Sequence, residues 1–197
     1  MSAQPKHFFT PEEYLELEEK AETKSEYLSG EIFAMAGGSP AHSEIANSIG
    51  GEVRNLLRGK PCHVFNSDLR ITVMPTGLKT YPDVTVVCGE THFHPLDKNS
   101  LINPTVLVEV LSPSTEAYDR GEKWAHYRRL DSLQEYVLVS QDKARVEHYV
   151  REGDGSWKFT EVSELDGMLS LPSLNVILPL AEIYERVIFE TIPVLEG

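Results

Sequence analysis

The alternation of apolar and polar positions predicts helices and short strands that are interleaved along the chain. Thr10 is followed by Pro-Glu-Glu, which is typical of a capped helix start, and this helix is predicted to run to Lys20. Two apolar segments then flank Ser29-Gly30, which predicts a hairpin with a two-residue turn. Beyond a break at 37–40, a second helix is predicted from apolar residues at helical spacing: Ile45, Ile49, Val53 and Leu56 or Leu57.

Strand patterns dominate the rest of the chain. Residues 68–73 alternate between polar and apolar, as expected of a half-buried strand, whereas 83–88 and 105–111 are rich in Val and are predicted to be buried on both faces. A polar loop is predicted over 89–104 and a third helix over 117–130. The remaining predictions are strands at 135–140, 145–150, 157–162 and 175–178, a last helix at 180–187 and a frayed tail at 192–197. This order indicates an α/β or α+β fold with a mixed central sheet.

The composition is that of an ordinary globular protein. The 197 residues are within the reach of one large domain, and 41% of them are hydrophobic. A membrane span is excluded because no apolar stretch reaches about 18 residues. The first residues lack the apolar core of a signal peptide, so we expect a cytoplasmic protein. Cys62 and Cys88 fit that compartment and are interpreted as small buried thiols, because neither has a neighbouring cysteine that would form a metal motif.

The charge balance argues against non-specific binding of nucleic acid. There are 18 basic and 31 acidic residues, a formal net charge of −13, and such binding relies on Lys and Arg neutralising phosphates. A bound metal and a local basic strip can offset, at one site, the repulsion between an acidic protein and the phosphates. Candidates for such a strip are Arg54, Arg58, Lys60, Arg120, Lys123, Arg128 and Arg129. The alternative is that these cations lie on solvated helix faces.

Two acidic residues stand in strand patterns that are otherwise apolar. Asp83 opens one Val-rich pattern, and Glu109 lies inside the other. Burying a carboxylate costs several kcal/mol unless its charge is compensated, and Mg²⁺ compensates carboxylates well because it prefers oxygen ligands. If the strands are neighbours in one sheet, the two acids can converge on one metal. The alternative is that Glu109 pairs with a buried cation and Asp83 caps a turn. Asp68 begins a strand in the same region and could orient the groups that bind the metal.

A lysine and a histidine are further candidates. Lys123 follows Glu109 on the third predicted helix, from which it could lean over a metal site and stabilise charge on a phosphate. The alternative is a solvated lysine that pairs with Asp119 one turn earlier. His42 begins the second helix, where its imidazole could contact a phosphate or a water. The alternative for His42 is a cap or surface role.

Several segments together resemble the Uma-two family of bacterial restriction-endonuclease-like proteins. They are Pro82-Asp83, the segment from Val108 to Thr115, Asp119-Arg-Gly-Glu-Lys123-Trp-Ala-His-Tyr, Lys24-Ser-Glu26-Tyr-Leu-Ser-Gly30-Glu-Ile, and His42 with the helix that follows it. The match covers residues 9–184, and the order and spacing of these motifs are specific.

The resemblance implies the fold and the metal site of the PD-(D/E)XK nucleases. That fold is a mixed central sheet flanked by helices, and it implies one nuclease-like domain over 1–197 with metal ligands on adjacent strands. Asp83 matches the motif Asp and Glu109 the second acid, while the family pattern suggests the main-chain carbonyl of Val110 as a further ligand. The implied cofactor is Mg²⁺, with Mn²⁺ as an alternative, which would lower the pKa of a bound water and polarise a phosphate.

The lysine of the motif is displaced in this chain. Two residues beyond Glu109, where the parent superfamily has Lys, the sequence has Leu111. The resemblance places the lysine on the following helix, which makes Lys123 its replacement. Glu26 matches an extra acid that such nucleases carry on an N-terminal element, where it would complete the metal shell or hold a second cation.

The function implied is that of a Mg²⁺-dependent endonuclease acting on DNA phosphodiesters. One alternative is a catalytically inactive binding or assembly protein that keeps the nuclease fold, because fold does not determine function. Another is a metal-dependent hydrolase of small phosphorylated molecules, whose few negative charges a protein of net charge −13 would repel less than it repels DNA. A homodimer is expected if both strands of a duplex are cut.

Overall fold

The computed structural model describes residues 7–189, so the predicted frayed tail at 192–197 lies outside the described residues. The helices are α1 (Pro11–Glu18), α2 (Pro40–Leu56), α3 (Glu116–Tyr118), a π-helix (Asp119–Lys123), α4 (Trp124–Tyr127) and α5 (Leu180–Ile183). The strands are β1 (Ser25–Leu28), β2 (Glu31–Ala34), β3 (Cys62–Asn66), β4 (Arg70–Val73), β5 (Leu78–Thr80), β6 (Val84–Cys88), β7 (Phe93–His94), β8 (Asp97–Leu101), β9 (Val106–Leu111), β10 (Glu135–Ser140), β11 (Arg145–Arg151), β12 (Trp157–Ser163), β13 (Met168–Leu171) and β14 (Val176–Pro179).

The predicted mixed sheet is formed by six strands in the order β12-β11-β10-β9-β6-β3. Strands β9 and β10 run parallel, whereas β6 pairs with β9 and with β3 in antiparallel register. Alternate residues of β6 and β9 enter two different hydrophobic clusters: Val84 and Val108 pack with α2 and α5, and Leu107 packs with Tyr127 of α4. Burial of each Val or Leu contributes about 1.5–3 kcal/mol, so this alternation stabilises the register that places the acidic residues.

A second six-stranded sheet, in the order β2-β1-β5-β4-β8-β7, was only partly predicted. The hairpin around Ser29-Gly30 is confirmed as β1–β2, and the strand predicted at 68–73 begins at Arg70. The polar loop predicted at 89–104 is wrong, because it contains β7 and β8. Strand β8 is polar yet partly buried, since Asp97 accepts two hydrogen bonds from the Arg70 guanidinium. A hydrophobic pattern cannot reveal a strand whose buried positions are paired polar groups.

The first two helices form where the sequence predicts them. Thr10 closes the capping box of α1, which ends at Glu18, and helix α2 buries Ile45, Ile49 and Val53. The third helix departs from the prediction of one regular helix over 117–130, because it divides into α3, the π-helix and α4 and ends at Tyr127.

The interpretation of the cysteines as free thiols is wrong. Strands β3 and β6 place Cys62 directly opposite Cys88, and the two form a disulfide across a sequence separation of 26. The pairing of distant strands decides this contact, which the spacing of two cysteines in the sequence cannot show. The cysteines therefore give no support to a reducing compartment. Within residues 7–189, no helix has the length and apolar character required to cross a membrane.

Candidate active site

A cleft of about 1560 Å³ lies beside the hairpin β1–β2, helix α2 and the segment that follows β9. Its lining brings together most of the residues that the sequence predicts for the site: Glu26, His42, Asp83, Glu109, Val110 and Lys123. These residues come from separate elements of both six-stranded sheets and of two helical segments. The tertiary fold therefore assembles a polar centre at this cleft.

The two predicted metal ligands face each other across neighbouring strands. Val84 pairs with Val108 in the antiparallel ladder of β6 and β9, so Asp83, one residue before β6, comes opposite Glu109. The Val110 backbone N–H donates a hydrogen bond of 2.7 Å to Asp83 Oδ2. This bond fixes the Asp83 carboxylate beside the end of β9. The expectation that the two strands are neighbours in one sheet is confirmed.

Glu109 is a buried carboxyl group with two polar partners. Its residue exposure is 4%, and the Tyr127 hydroxyl donates a hydrogen bond of 2.7 Å to Oε1. Lys123 Nζ lies 3.1 Å from the same oxygen. Burial raises the pKa of Glu109 to about 8, which the attraction of Lys123 only partly opposes. Tyr127 and Lys123 both contact Oε1 of Glu109, and neither of these two contacts involves Oε2.

Lys123 is buried among three carboxylates rather than solvated. Besides Glu109, its Nζ lies 3.3 Å from Glu26 Oε1 and 3.2 Å from Asp119 Oδ1. Burial lowers the pKa of Lys123, but the three carboxylates outweigh it and raise this pKa well above the usual value. Thr80 donates a hydrogen bond to Glu26 Oε1 and so fixes that acid. The alternative interpretation was a solvated lysine that pairs with Asp119. The pair is present, but the lysine is buried and not solvated.

The π-helix directs Asp119 and Lys123 into the protein together. Both residues are buried at its two ends, and the Tyr136 hydroxyl donates a hydrogen bond of 3.1 Å to the Asp119 carbonyl. Single π-turns inside helices are frequent at functional sites because they displace side chains from regular helical positions. Sequence reasoning missed Asp119 and Tyr127 as members of the site. Asp119 lies four residues before Lys123 and Tyr127 four residues after it, which places the three on one face of a helix. The same spacing occurs on many surface helices, so it does not identify a site.

His42 lies at the edge of the same centre. Its Nε2 is 3.3 Å from Asp83 Oδ2, and its side chain is 20% exposed. The contact with the Asp83 carboxylate raises the pKa of His42, and burial opposes this effect. The cap role that we considered for this position belongs instead to Ser39, whose Oγ accepts a hydrogen bond from the His42 backbone N–H.

Two further predictions are not met by the geometry. Asp68 does not join the centre, because its exposed carboxylate pairs with Lys24 at 2.6 Å. The basic strip is also not assembled. Arg120 binds Glu147, and the Lys60 ammonium binds the main-chain carbonyl of Leu174. Among the strip candidates, which all lie in the described part of the chain, only Arg54 and Lys123 line the cleft.

The oxygen donors of the centre fit a hard divalent cation that keeps part of its water shell. Within residues 7–189, no group of three or more His, Cys, Asp and Glu side chains is arranged to enclose a metal. Mg²⁺ does not need such a cage, since it is usually held by one or two carboxylates together with waters. Asp83 and Glu109 can supply the two carboxylates, and the carbonyl of Val110 lies beside them. Asp119 is buried and its Oδ1 lies 3.2 Å from Lys123 Nζ, so the charges of these two groups compensate each other beside the centre.

Comparisons with known proteins show the family of this chain. The model of the family Uma2, described as “Putative restriction endonuclease”, matches residues 11–181. An uncharacterized protein of Synechocystis sp. is 40% identical over 183 residues, which cover 91% of this chain and 93% of that protein. A second uncharacterized protein of the same organism is 36% identical over 153 residues, which cover 78% of this chain and 86% of that protein.

A solved structure shares the fold. It is the crystal structure of a “putative nuclease belonging to DUF820” from Anabaena variabilis, which superposes with a TM-score of 0.74 at 21% identity. The superposition covers 90% of this chain and 98% of that one. The predicted nuclease-like fold with its mixed sheet is therefore confirmed.

Proposed function

This chain belongs to the Uma2 family, described as “Putative restriction endonuclease”, and we propose that it is a metal-dependent endonuclease that hydrolyses phosphodiester bonds in DNA. One observation carries the proposal: Asp83 and Glu109 face each other across neighbouring strands, with the ammonium group of Lys123 beside Glu109. A structural protein gains little from burying such groups, because burial of charges costs free energy that well-packed apolar side chains would not. Buried titratable groups in a cleft are more typical of an active site.

The oxygen atoms of Asp83, Glu109 and the Val110 carbonyl would hold Mg²⁺ or Mn²⁺. Such an ion supplies a Lewis acid and lowers the pKa of a bound water. The protein itself orients the groups around the reacting phosphate. The Val110 N–H holds the Asp83 carboxylate in place, and the Tyr127 hydroxyl does the same for Glu109.

Lys123 would act as a fixed positive charge. Its raised pKa keeps the ammonium group protonated at neutral pH, so it can donate hydrogen bonds but cannot accept a proton. An ammonium beside the metal site stabilises negative charge that develops on the phosphate in the transition state. Glu26 and Asp119 would position this ammonium.

A second candidate is hydrolysis of small phosphorylated molecules by the same centre. The cleft lining contains more carboxylates than cations in the described residues: Glu22, Glu26, Asp83, Glu109, Asp119 and Glu122 against Lys24, Arg54 and Lys123. Affinity for a long polyanion depends on the number of phosphates that cations neutralise. A small substrate with one phosphate diester would meet less repulsion in this cleft.

The test is a cleavage assay on labelled single-stranded and duplex DNA with Mg²⁺ or Mn²⁺, in parallel with bis(p-nitrophenyl) phosphate as a small diester. We expect Asp83→Asn and Glu109→Gln to lower the rate at least about 100-fold, as removal of one group that stabilises transition-state charge does. Asp68→Asn is the matched control, because it neutralises an aspartate outside the centre and should leave the rate unchanged. Circular dichroism checks that each variant is folded. Cleavage of the small diester without cleavage of DNA would establish the second candidate, and cleavage of neither would refute both.

A further inference from the structure

We propose that the cleft binds a single strand of nucleic acid in preference to a duplex, with the Phe33 ring stacked on a base and the Arg54 guanidinium bound to a phosphate. The proposal rests on the proposed endonuclease function and names its substrate class. Both side chains line the cleft that holds Glu26, Asp83 and Glu109. Neither belongs to the carboxylate centre, so each can be changed without removal of a proposed metal ligand.

The cleft is larger than a small phosphodiester requires. Its volume of about 1560 Å³ exceeds the roughly 300–1,000 Å³ of pockets that enclose small ligands. Helix α2 borders it from His42 to Arg54, which are twelve residues apart. At about 1.5 Å per residue this wall is about 18 Å long, which matches about five stacked nucleotides at about 3.4 Å each. The cleft therefore has room for a short strand.

An exposed aromatic ring lies beside the carboxylate centre. Phe33 is directly opposite Glu26 in the antiparallel ladder of β1 and β2, so the two side chains share one face of the sheet. Glu26 in turn lies 3.3 Å from the Lys123 ammonium, yet Phe33 is 49% exposed. Aromatic side chains bind single strands of any sequence because every base has a π-face on which they can stack. The Phe33 ring is therefore placed to stack on a base next to the scissile phosphate.

Helix α2 leaves space and a cation on its side of the cleft. Gly51 lies inside the helix, where a glycine destabilises the helix relative to alanine. A Cβ on Gly51 would meet no other part of the described chain within 4 Å, so packing does not require this glycine. Arg54, three residues further along, is exposed. The lysines of the described lining are already bound, Lys24 to Asp68 and Lys123 to three carboxylates, which leaves Arg54 to bind a phosphate.

Charge and base pairing both favour a single strand over a duplex. A duplex carries one negative charge per about 1.7 Å of its axis, twice the density of a single strand at about 3.4 Å. Because this chain has a formal net charge of −13, a duplex meets more repulsion at the cleft. The bases of a duplex are also stacked on one another, so their faces are not available to Phe33 unless a base is extruded. Stacking thus supplies affinity that a cleft with few cations lacks.

The experiment is fluorescence anisotropy of the full chain with labelled oligothymidylate, oligouridylate and a duplex, each of about 12 nucleotides per strand. It is run in EDTA and again in Ca²⁺, with the integrity of each strand checked on a gel. We expect both single strands to bind at least about tenfold more tightly than the duplex. Phe33→Ala should weaken single-strand binding at least about fivefold, the lower limit of base–aromatic stacking, whereas Phe33→Tyr should retain it. Phe159→Ala is the matched control, because that ring is 51% exposed on β12 and lies outside the cleft lining.

Arg54 and Gly51 provide two further readouts. Arg54→Gln should reduce the slope of log K against log salt by about 0.7, which is the contribution of one phosphate contact in a single strand. Arg129→Gln makes the same change of charge at an exposed position outside the lining and should leave the slope unchanged. Gly51→Leu should weaken binding by narrowing the cleft while it keeps or raises Tm, since leucine favours a helix more than glycine does.

Three results would overturn the proposal: duplex binding as tight as single-strand binding, no binding of single strands in either buffer, and unchanged single-strand binding in Phe33→Ala. Any of these together with cleavage of duplex DNA would remove the substrate class and leave the proposed endonuclease intact. Preferential binding of single strands without cleavage of any substrate would support the binding site and refute the proposed catalysis. The two labelled strands separate DNA from RNA, because only RNA carries the 2′-hydroxyl.

Discussion

Replacing Lys123 with Met should destabilise the protein by about 3–5 kcal/mol, because it leaves buried carboxylates without their cation. The Lys123 side chain is 7% exposed and contacts Glu26, Glu109 and Asp119 at 3.1–3.3 Å. Met has nearly the same length and packs well in irregular space, so the loss should be electrostatic rather than steric. For a chain of 197 residues this corresponds to a fall in Tm of roughly 6–20 °C.

The loss in Lys123→Met should grow as the pH rises. Burial raises the pKa of Glu109 from its usual 4.5 to about 8 in the folded protein that still contains Lys123. A carboxyl group with a raised folded pKa binds its proton more tightly in the folded state. It therefore favours folding below its unfolded pKa and loses this contribution as the pH rises through the folded value. The attraction of Lys123 lowers the pKa of Glu109, so this pKa rises further in the variant. At pH 8.5 the folded variant then keeps a proton that the unfolded chain releases, which makes the loss of stability larger than at pH 6.

The assay is urea denaturation at pH 6 and pH 8.5, with EDTA and then with Mg²⁺ or Mn²⁺. A bound cation replaces the missing charge, so the divalent ion should stabilise Lys123→Met more than it stabilises the wild type. Binding stabilises a folded chain by about 2.7 kcal/mol when the ion concentration is 100 times its Kd. Lys79→Met is the matched control. Lys79 is equally buried but donates to the Thr72 hydroxyl, and burial lowers its pKa. Its removal should change stability by less than about 1 kcal/mol and should create no added response to metal.

Two outcomes would refute this reasoning about Lys123. The first is a loss below about 1 kcal/mol at pH 8.5, which would mean that the carboxylates do not depend on the lysine. The second is an equal loss at both pH values, which would show that packing and not charge is responsible. A folded Lys123→Met variant also permits the cleavage assay to be read without ambiguity about stability.

Two further predictions concern the rest of the fold. Reduction of the disulfide between Cys62 and Cys88, which closes a loop with a sequence separation of 26, should lower the free energy of unfolding by about 3.6 kcal/mol in urea denaturation. A variant with both cysteines changed to Ala should not respond to reductant, and an unchanged wild type would contradict the prediction. Arg70→Met should cost about 3–5 kcal/mol because it leaves Asp97 buried without its cation, whereas adding Asp97→Leu should recover most of that loss. A double-mutant cycle measures this coupling, and additive losses would argue against it.

Part of the site could be predicted from the sequence because its residues stand out against local patterns. Asp83 and Glu109 interrupt Val-rich strands, and an acid in such a position needs a partner wherever the strand is placed. Lys123 was a candidate from its position on the helix after Glu109, and the family motifs added Glu26. The structure brings the Lys123 ammonium to both Glu26 and Glu109. Helix caps and the hairpin turn also depend on neighbouring residues, so the sequence predicts them well.

Only the tertiary structure decided which distant groups meet. Strand β8 is polar because Asp97 pairs with an arginine 27 residues away, and Cys62 meets Cys88 because β3 lies beside β6. The displacement of Asp119 by the π-helix, and the exclusion of Asp68 from the centre, likewise follow from packing between elements. Local patterns report which apolar residues are buried, since that depends on periodicity. They do not report its partner, because a partner is set by strand order and register, which the chain acquires only when the sheets assemble.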